Sequence, residues 1–177
     1  MKMILLLTTM VPVLAMCQAE KSIPLIVDRG QKFNIKNEGK VIKFTFGNPD
    51  YIRYDTVAAQ LTVNDDPVRE IHFTKANLHN DTLSILITST SPAYHQVYKI
   101  EIVKDKCQAS YSFRPSGPDY ETNVIPVDFS VTLNRSDFTP GGEIRGHTEF
   151  RGRCEGKGCY DEKVINLKGN FKVKILK

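Results

Sequence analysis

Apolar and polar residues alternate along most of this chain. Ile42, Phe44 and Phe46 are spaced by Lys43 and Thr45, and Val127, Phe129, Val131 and Leu133 by Asp128, Ser130 and Thr132. Ile144, Gly146, Thr148 and Phe150 alternate with Arg145, His147, Glu149 and Arg151. Near the C-terminus Ile165, Leu167, Phe171, Val173 and Ile175 all fall on odd positions, with Gly169 at the one gap. A period of two with one apolar face predicts half-buried antiparallel strands, because successive side chains of a strand point to opposite faces. Glycine at 169 predicts a bend or bulge in the last of them. Residues 142–153 and 163–175 are predicted to pair as a hairpin that turns both apolar rows to the core.

Further strands are predicted over residues 22–27, 32–35, 57–63, 68–73, 83–88, 96–103 and 109–113. Turn chemistry separates many of them, as at Asp28-Arg29-Gly30, Asn37-Glu38-Gly39, Gly47-Asn48-Pro49-Asp50 and Thr139-Pro140-Gly141-Gly142. A helical period of 3.6 is nowhere sustained over three turns, and only at 55–61 does a short helix compete with a strand. About 10–11 short strands at this spacing predict an all-β protein, an antiparallel β-sandwich of immunoglobulin-like or jelly-roll-like type. The candidate boundary is 114–126, a polar stretch framed by Pro115, Pro118 and Pro126. The strands beyond it would make a marginal domain alone, so residues 20–177 read as a single β-sandwich domain.

The nine residues Phe138-Thr139-Pro140-Gly141-Gly142-Glu143-Ile144-Arg145-Gly146 resemble the aromatic, turn, Gly-Glu lead into a strand seen in many immunoglobulin-like and arrestin-like sandwiches. The resemblance implies an architecture and carries no activity. Composition agrees with a folded domain: 41% hydrophobic and 25% charged residues exclude wholesale disorder and a multi-pass helical membrane protein.

Residues 1–19 read as an export signal. Lys2 supplies the positive start, Met3 to Ala15 an apolar run interrupted by Thr8, Thr9 and Pro12, and Cys17-Gln18-Ala19 small residues for cleavage before Glu20. The run falls short of the ~20 residues that a membrane-spanning helix needs. Leu14-Ala15-Met16-Cys17 resembles the lipobox of bacterial lipoproteins, with Met16 where that pattern has a small residue. The resemblance implies acylation of Cys17 and an envelope-anchored protein, whereas simple cleavage implies a secreted or periplasmic one.

Either route consumes Cys17 and leaves Cys107, Cys154 and Cys159. Glu155-Gly156-Lys157-Gly158 is a short flexible loop that can bring Cys154 and Cys159 together as a disulfide in an oxidising compartment. A zinc half-site is the competing use of C-x4-C, and no second Cys/His pair stands at ligand spacing. Cys107 is left as a buried thiol.

Candidate chemistry is sparse. His72, His79, His95 and His147 form no metal-binding spacing, and no nucleophile elbow or phosphate-cradling loop occurs. Asp65-Asp66 and Asp161-Glu162 fall in predicted turns. Tyr51, Tyr54 and Tyr120 lie in loop-like sequence, where they could stack on a sugar in a chain that has no Trp. No catalytic, cofactor or metal site is therefore expected.

Charge is more informative. Residues 143–177 hold nine Lys/Arg and five Asp/Glu, a balance of +4, whereas residues 20–142 hold 14 against 15, a balance of −1. On alternation, Arg145, Arg151 and Arg153 share one face with Lys168, Lys172 and Lys174 of the following strand. Such a face suits an acidic partner, whether an acidic glycan, a lipid surface or a protein. The plainer and favoured reading of the same face is a solvated strand surface that discourages edge pairing. Nucleic acid is not expected as a partner, since the reading is extracytoplasmic and the net charge modest. The expectation is an exported, non-enzymatic module with a binding or structural role. Its rival is an exported hydrolase with a cleft of loop carboxylates and histidines.

Overall fold

The computed structural model describes residues 21–45, 52–64, 69–71, 73–91, 94–115, 122–155, 159 and 164–176. The expected export signal with Cys17, His72, Tyr51, Tyr120, the acidic pairs Asp65-Asp66 and Asp161-Glu162, and residues 116–121 of the proline-framed stretch lie outside them. Thirteen strands follow in order: β1 Ile23–Pro24, β2 Ile26–Val27, β3 Val41–Thr45, β4 Ile52–Thr56, β5 Ala59–Val63, β6 Arg69–Ile71 and β7 Phe73–His79, then β8 Thr82–Ser91, β9 Tyr94–Val103, β10 Lys106–Pro115, β11 Asn123–Leu133, β12 Glu143–Glu155 and β13 Val164–Lys174. No α-helix occurs among the described residues, and 55–61 is extended.

Eleven strands join one sheet in the order β6-β5-β13-β12-β11-β10-β9-β8-β7, with β1 on β10 and β2 on β11. From β7 to β13 each strand runs antiparallel to the next, an up-and-down meander. Seven alternating strands leave the first and last parallel, and they meet in that sense at the Ala76–Ile175 bridge. Leu176 N–H donates to the Ala76 carbonyl at 2.9 Å, and the Thr74 hydroxyl donates to the Lys172 carbonyl at 2.8 Å. The all-β antiparallel expectation is met. In place of two facing sheets, a single sheet curls until it is nearly a closed barrel.

The interior is filled by side chains from every wall of the sheet, among them Leu83, Ile100, Tyr98, Val131, Ile144, Leu167 and Phe171. Apolar residues point in and charged ones out, the reverse of a membrane-spanning barrel. Tyr98 brings a hydroxyl into this core. Thr148, fully buried beside it, accepts that hydroxyl at 2.7 Å and donates its own proton to the Ser130 carbonyl at 3.0 Å. The Phe150 ring packs edge-on to Tyr98 with centroids 5.6 Å apart. Each polar atom of the trio therefore has a partner, as burial requires.

Three departures from the predicted elements have identifiable causes. The strand at 22–27 is broken at Leu25 because its halves serve different neighbours: Ile23 pairs with Cys107 of β10, and Ile26 with Thr132 of β11. Among the described residues those two strands share only the Tyr111–Val124 pair, and the register of β11 shifts between Pro126 and Asp128. Pro126 has no N–H for a ladder, so β11 bends away and the N-terminal segment fills the seam. Residues 32–35 form no strand, although Phe33 and Ile35 are buried at 4% and 8% exposure. They pin a segment, residues 28–40, that crosses the outside of the barrel. Finally, β13 has no bulge at Gly169. The glycine instead admits the β5 backbone, since a Cβ there would stand 2.0 Å from the Gln60 carbonyl oxygen.

The disulfide between Cys154 and Cys159 is present, with Cα atoms 5.8 Å apart, and Cys107 is free and buried. The expected hairpin is present too, with β12 and β13 pairing from Glu143–Lys174 to Arg153–Val164.

Two contrasts test this packing. Phe171→Ala should cost about 3–5 kcal/mol in denaturant unfolding, whereas Lys174→Ala, on the opposite face of the same strand, should stay within about 0.5 kcal/mol. Thr148→Val should cost more than Tyr98→Phe, by about 1 kcal/mol or more, because only the first leaves a buried hydroxyl without an acceptor. Equal losses in the first pair would mean that the faces are wrongly assigned, and equal losses in the second that Thr148 is not the acceptor of the Tyr98 hydroxyl.

Candidate functional site

Alternation on β12 and β13 places two rows of side chains outside the barrel. The register sets Arg145 opposite Lys172, Glu149 opposite Lys168, Glu143 opposite Lys174 and Arg151 opposite Asn166. Arg153, opposite Val164, lies at the disulfide-closed end. All six cations singled out in the sequence, Arg145, Arg151, Arg153, Lys168, Lys172 and Lys174, thus belong to the outward rows of one hairpin.

Their partners are what alternation cannot reveal. Residues 28–40 form a strap over β12, β13 and β5. The Asn34 carbonyl accepts from Asn170 Nδ2 at 2.7 Å, and Lys36 N–H donates to Gln60 Oε1 at 2.9 Å. Glu38 then reaches the cations. Its two oxygens accept from Arg145 Nη1 and Nη2 at 2.8 and 2.6 Å, and Oε1 also takes Lys172 Nζ at 2.9 Å. Glu143 completes the group, 3.2 Å from Arg145 Nε and 3.3 Å from Lys172 Nζ.

A planar carboxylate matched to both arms of a guanidinium is the strong form of a charge-assisted bond. Accordingly the Arg145 hydrogen bond, aided by Lys172, holds the Glu38 carboxyl down to about 2 against the opposing effect of burial. The same pairing raises both Arg145 and Lys172.

Further along, Lys168 Nζ lies 2.6 Å from Glu149, whose carboxyl it holds below its ordinary value. Arg153 pairs with Glu155 at 2.9 Å. Arg151 and Lys174 have no ion pair among the described residues. Glu38, Glu143, Glu149 and Glu155 set against the six cations leave the hairpin's outward rows a surplus of +2; Asp128 of β11, directly across from Arg151, is matched by Lys21.

Beside Arg151 the surface is hollow. A groove of about 250 Å³ crosses β11, β12 and β13, walled by Asp128, Ser130, Glu149, Arg151, Asn166 and Lys168, with the backbone of Phe129, Phe150 and Leu167 among its lining. Asp128 also receives Lys21 at 3.3 Å. Sequence reasoning missed Asp128, Ser130 and Asn166 as wall residues. Their outward parity was visible; that three strands lie side by side there was not.

The three described histidines do not converge. His147 Nδ1 lies 2.8 Å from Asn170 Oδ1 and Nε2 3.5 Å from Glu149, while His79 and His95 are exposed on other strands. No group of three or more metal-ligating side chains occurs among the described residues. Burial pushes the Cys107 thiol up to about 11, so it is a poor nucleophile where it stands.

The Glu38 clamp gives stability a defined pH dependence. Its carboxyl is lowered on folding, so its contribution is complete above about 4.5 and is lost as pH falls toward 2. Glu38→Gln should cost about 1–2 kcal/mol at pH 7, a figure reduced for partial exposure, and almost nothing near pH 2. Thermal melts of both proteins across that range measure the difference. A gap independent of pH would show that Glu38 is not held as a carboxylate.

No family model, curated protein or solved structure matches this chain, so any functional reading rests on the site itself.

Proposed function

We propose that this protein is an exported, non-enzymatic binding module whose ligand-facing surface is the outer face of β11, β12 and β13. The observation that carries the reading is the open hollow across β11, β12 and β13 beside Arg151, a cation with no ion pair among the described residues. Its walls offer hydroxyl, amide, carboxylate and guanidinium groups, the mixture that orients a polar ligand by hydrogen bonds. The surplus charge selects an acidic one, in the order acidic glycan, acidic protein, lipid surface. A hollow that sets hydroxyl, amide and charged side chains beside apolar surface suits a short saccharide chain better than a flat bilayer.

Export is supported by the sequence of residues 1–19 and by the Cys154–Cys159 disulfide, a bond that persists in oxidising compartments. Acylation at Cys17 would place the module at an envelope surface. The six-residue interval to Ile23 would keep it close, because the chain from there onward is built into the seam between β10 and β11.

The rival hydrolase reading is weaker on chemistry. A glycosidase acid needs a carboxyl raised toward neutral pH, whereas Glu149, in the groove, is held low by Lys168. The jelly-roll and immunoglobulin-like alternatives remain architectural and add nothing to this choice.

Ion pairing also identifies the best residues to change. Arg151→Gln with Lys174→Gln removes cations that are not already neutralised, so retention on an immobilised acidic glycan at low salt should fall by about 1–2 kcal/mol, roughly five- to thirtyfold. Arg153→Gln, already paired with Glu155, should change it little. Retention should fade steeply as salt rises. If the parent is not retained at low salt, or the double change has no effect, the face is only a solvated surface.

A further inference from the structure

We infer that Arg145 and Lys172 form a recognition site for a carboxylate-bearing glycan, and that the strap keeps it closed by placing Glu38 where a ligand carboxylate would sit. The inference deepens the proposed function and rests on it.

The site has the chemistry of a carboxylate receptor. One guanidinium grips both oxygens and one ammonium caps the same group, an arrangement that fits a planar carboxylate better than a tetrahedral phosphate headgroup. The charged groups that meet Glu38 are Arg145 of β12 and Lys172 of β13, with Glu143 of β12 on the same two cations; Lys36 and Lys40 flank it in sequence on the strap, and His147 and Lys174 are the next charged or titratable outward residues along β12 and β13. Glu143 competes only partly for the two cations, so removing Glu38 leaves a net positive pocket.

The strap is built in two parts of unequal strength. Phe33 and Ile35 are buried, and Asn34 is tied to Asn170. Residues 36–40 are held more lightly. Lys36 N–H bonds a side-chain oxygen of Gln60, Gly39 N–H reaches the Val57 carbonyl at 3.2 Å while Val57 N–H returns a bond to the Lys40 carbonyl at 3.1 Å, and the turn closes on itself through Lys40 N–H to Asn37 O at 2.9 Å. Asn37 and Gly39 both have positive φ, 60° and 76°, so the turn is a local unit that can lift while the buried anchor stays. Its ionic attachment to the charged face is Glu38.

Continuity with the groove selects a polymer. From the Glu149–Lys168 pair to the Arg145–Lys172 pair is four residues along the strands, about 14 Å. A short oligosaccharide spans that distance, so a chain lying in the groove could present a second carboxylate to Arg145. Each carboxylate offered by a polyuronate raises the local concentration that competes with Glu38.

The test uses polygalacturonate as the probe on the full protein. First, amide exchange at Lys36 and Gly39 in the parent should quicken when the probe is added, while Ile144 and Phe171 stay protected. Second, Glu38→Gln should bind the probe about tenfold more tightly than the parent at low salt, as expected when a charge-assisted competitor is removed. Adding Arg145→Gln to Glu38→Gln should abolish the gain. Dextran sulfate, with tetrahedral anions, should show a smaller gain.

If Glu38→Gln binds like the parent while Arg151→Gln with Lys174→Gln still weakens binding, the closed-site inference fails and the proposed function stands. If neither parent nor variant binds, both fail. Retention on phosphatidylglycerol vesicles without polyuronate binding would replace the glycan by a lipid surface and overturn the inference. Should Glu38→Gln not fold, the exchange experiment decides alone: unchanged exchange at Lys36 and Gly39 under saturating probe refutes strap release.

Discussion

Closure of the barrel depends on β13 having neighbours on both edges. One edge carries β12 along eleven residue pairs. The other is divided, with β5 against residues 167–171 and β7 reaching Ile175. A strand with so many obligations cannot slip, because a shift of one residue would turn Leu167, Phe171 and Val173 outward and Lys168, Lys172 and Lys174 inward. Gly169 is part of the same constraint, since any Cβ there would strike the β5 backbone. The outer charged face is therefore a consequence of how the interior is sealed. Its geometry is as firmly set as the core beneath it.

That rigidity gives the surface electrostatics their meaning. Exposed ion pairs on mobile side chains contribute little. Here Arg145 and Lys172 start from a locked register, and the strap delivers Glu38 to both at once. Less ordering is left for the bond to bring about, so a larger part of its interaction energy survives. The strap in turn owes its path to Phe33 and Ile35, whose burial outside the main core fixes where Glu38 lands. Apolar anchoring and ion pairing thus act at neighbouring points on one segment and support each other.

What could be read from the sequence follows the range of the interactions concerned. Alternation in β11, β12 and β13 is local, and it placed Phe129, Phe150 and Phe171 inside and Lys168 and Arg151 outside correctly, whereas Val127, expected in the inward row, is exposed where the register shifts between Pro126 and Asp128. The Cys154–Cys159 pair is also local, closed across four residues. The same parity in Phe33 and Ile35 misled, because a buried-exposed-buried pattern arises wherever a chain is pinned against a surface, with or without a ladder. The N-terminal segment kept its extended form but not its continuity, since Pro126 opens the seam from the far side of the chain. The Glu38–Arg145 contact joins residues 107 apart, and nothing near either residue announces it. Whether the final shape was one curled sheet or two facing ones turned on the meeting of Ala76 with Ile175, which periodicity does not encode.

The sequence charge balance of +4 over residues 143–177 overstates what an approaching anion would meet, because Glu38 comes from the −1 part of the chain and neutralises the strongest pair. What is left exposed is unevenly placed, with Arg151 at the groove and Lys174 near the Glu143 end. Two separated cations give weak, salt-sensitive attraction and little selectivity. A ligand that also dislodged Glu38 would gain a bidentate contact whose geometry does discriminate among anions. The strap therefore separates two properties that a bare cationic face would join. Long-range attraction comes from the unpaired cations, and chemical discrimination is reserved for a ligand that can replace a carboxylate by a carboxylate.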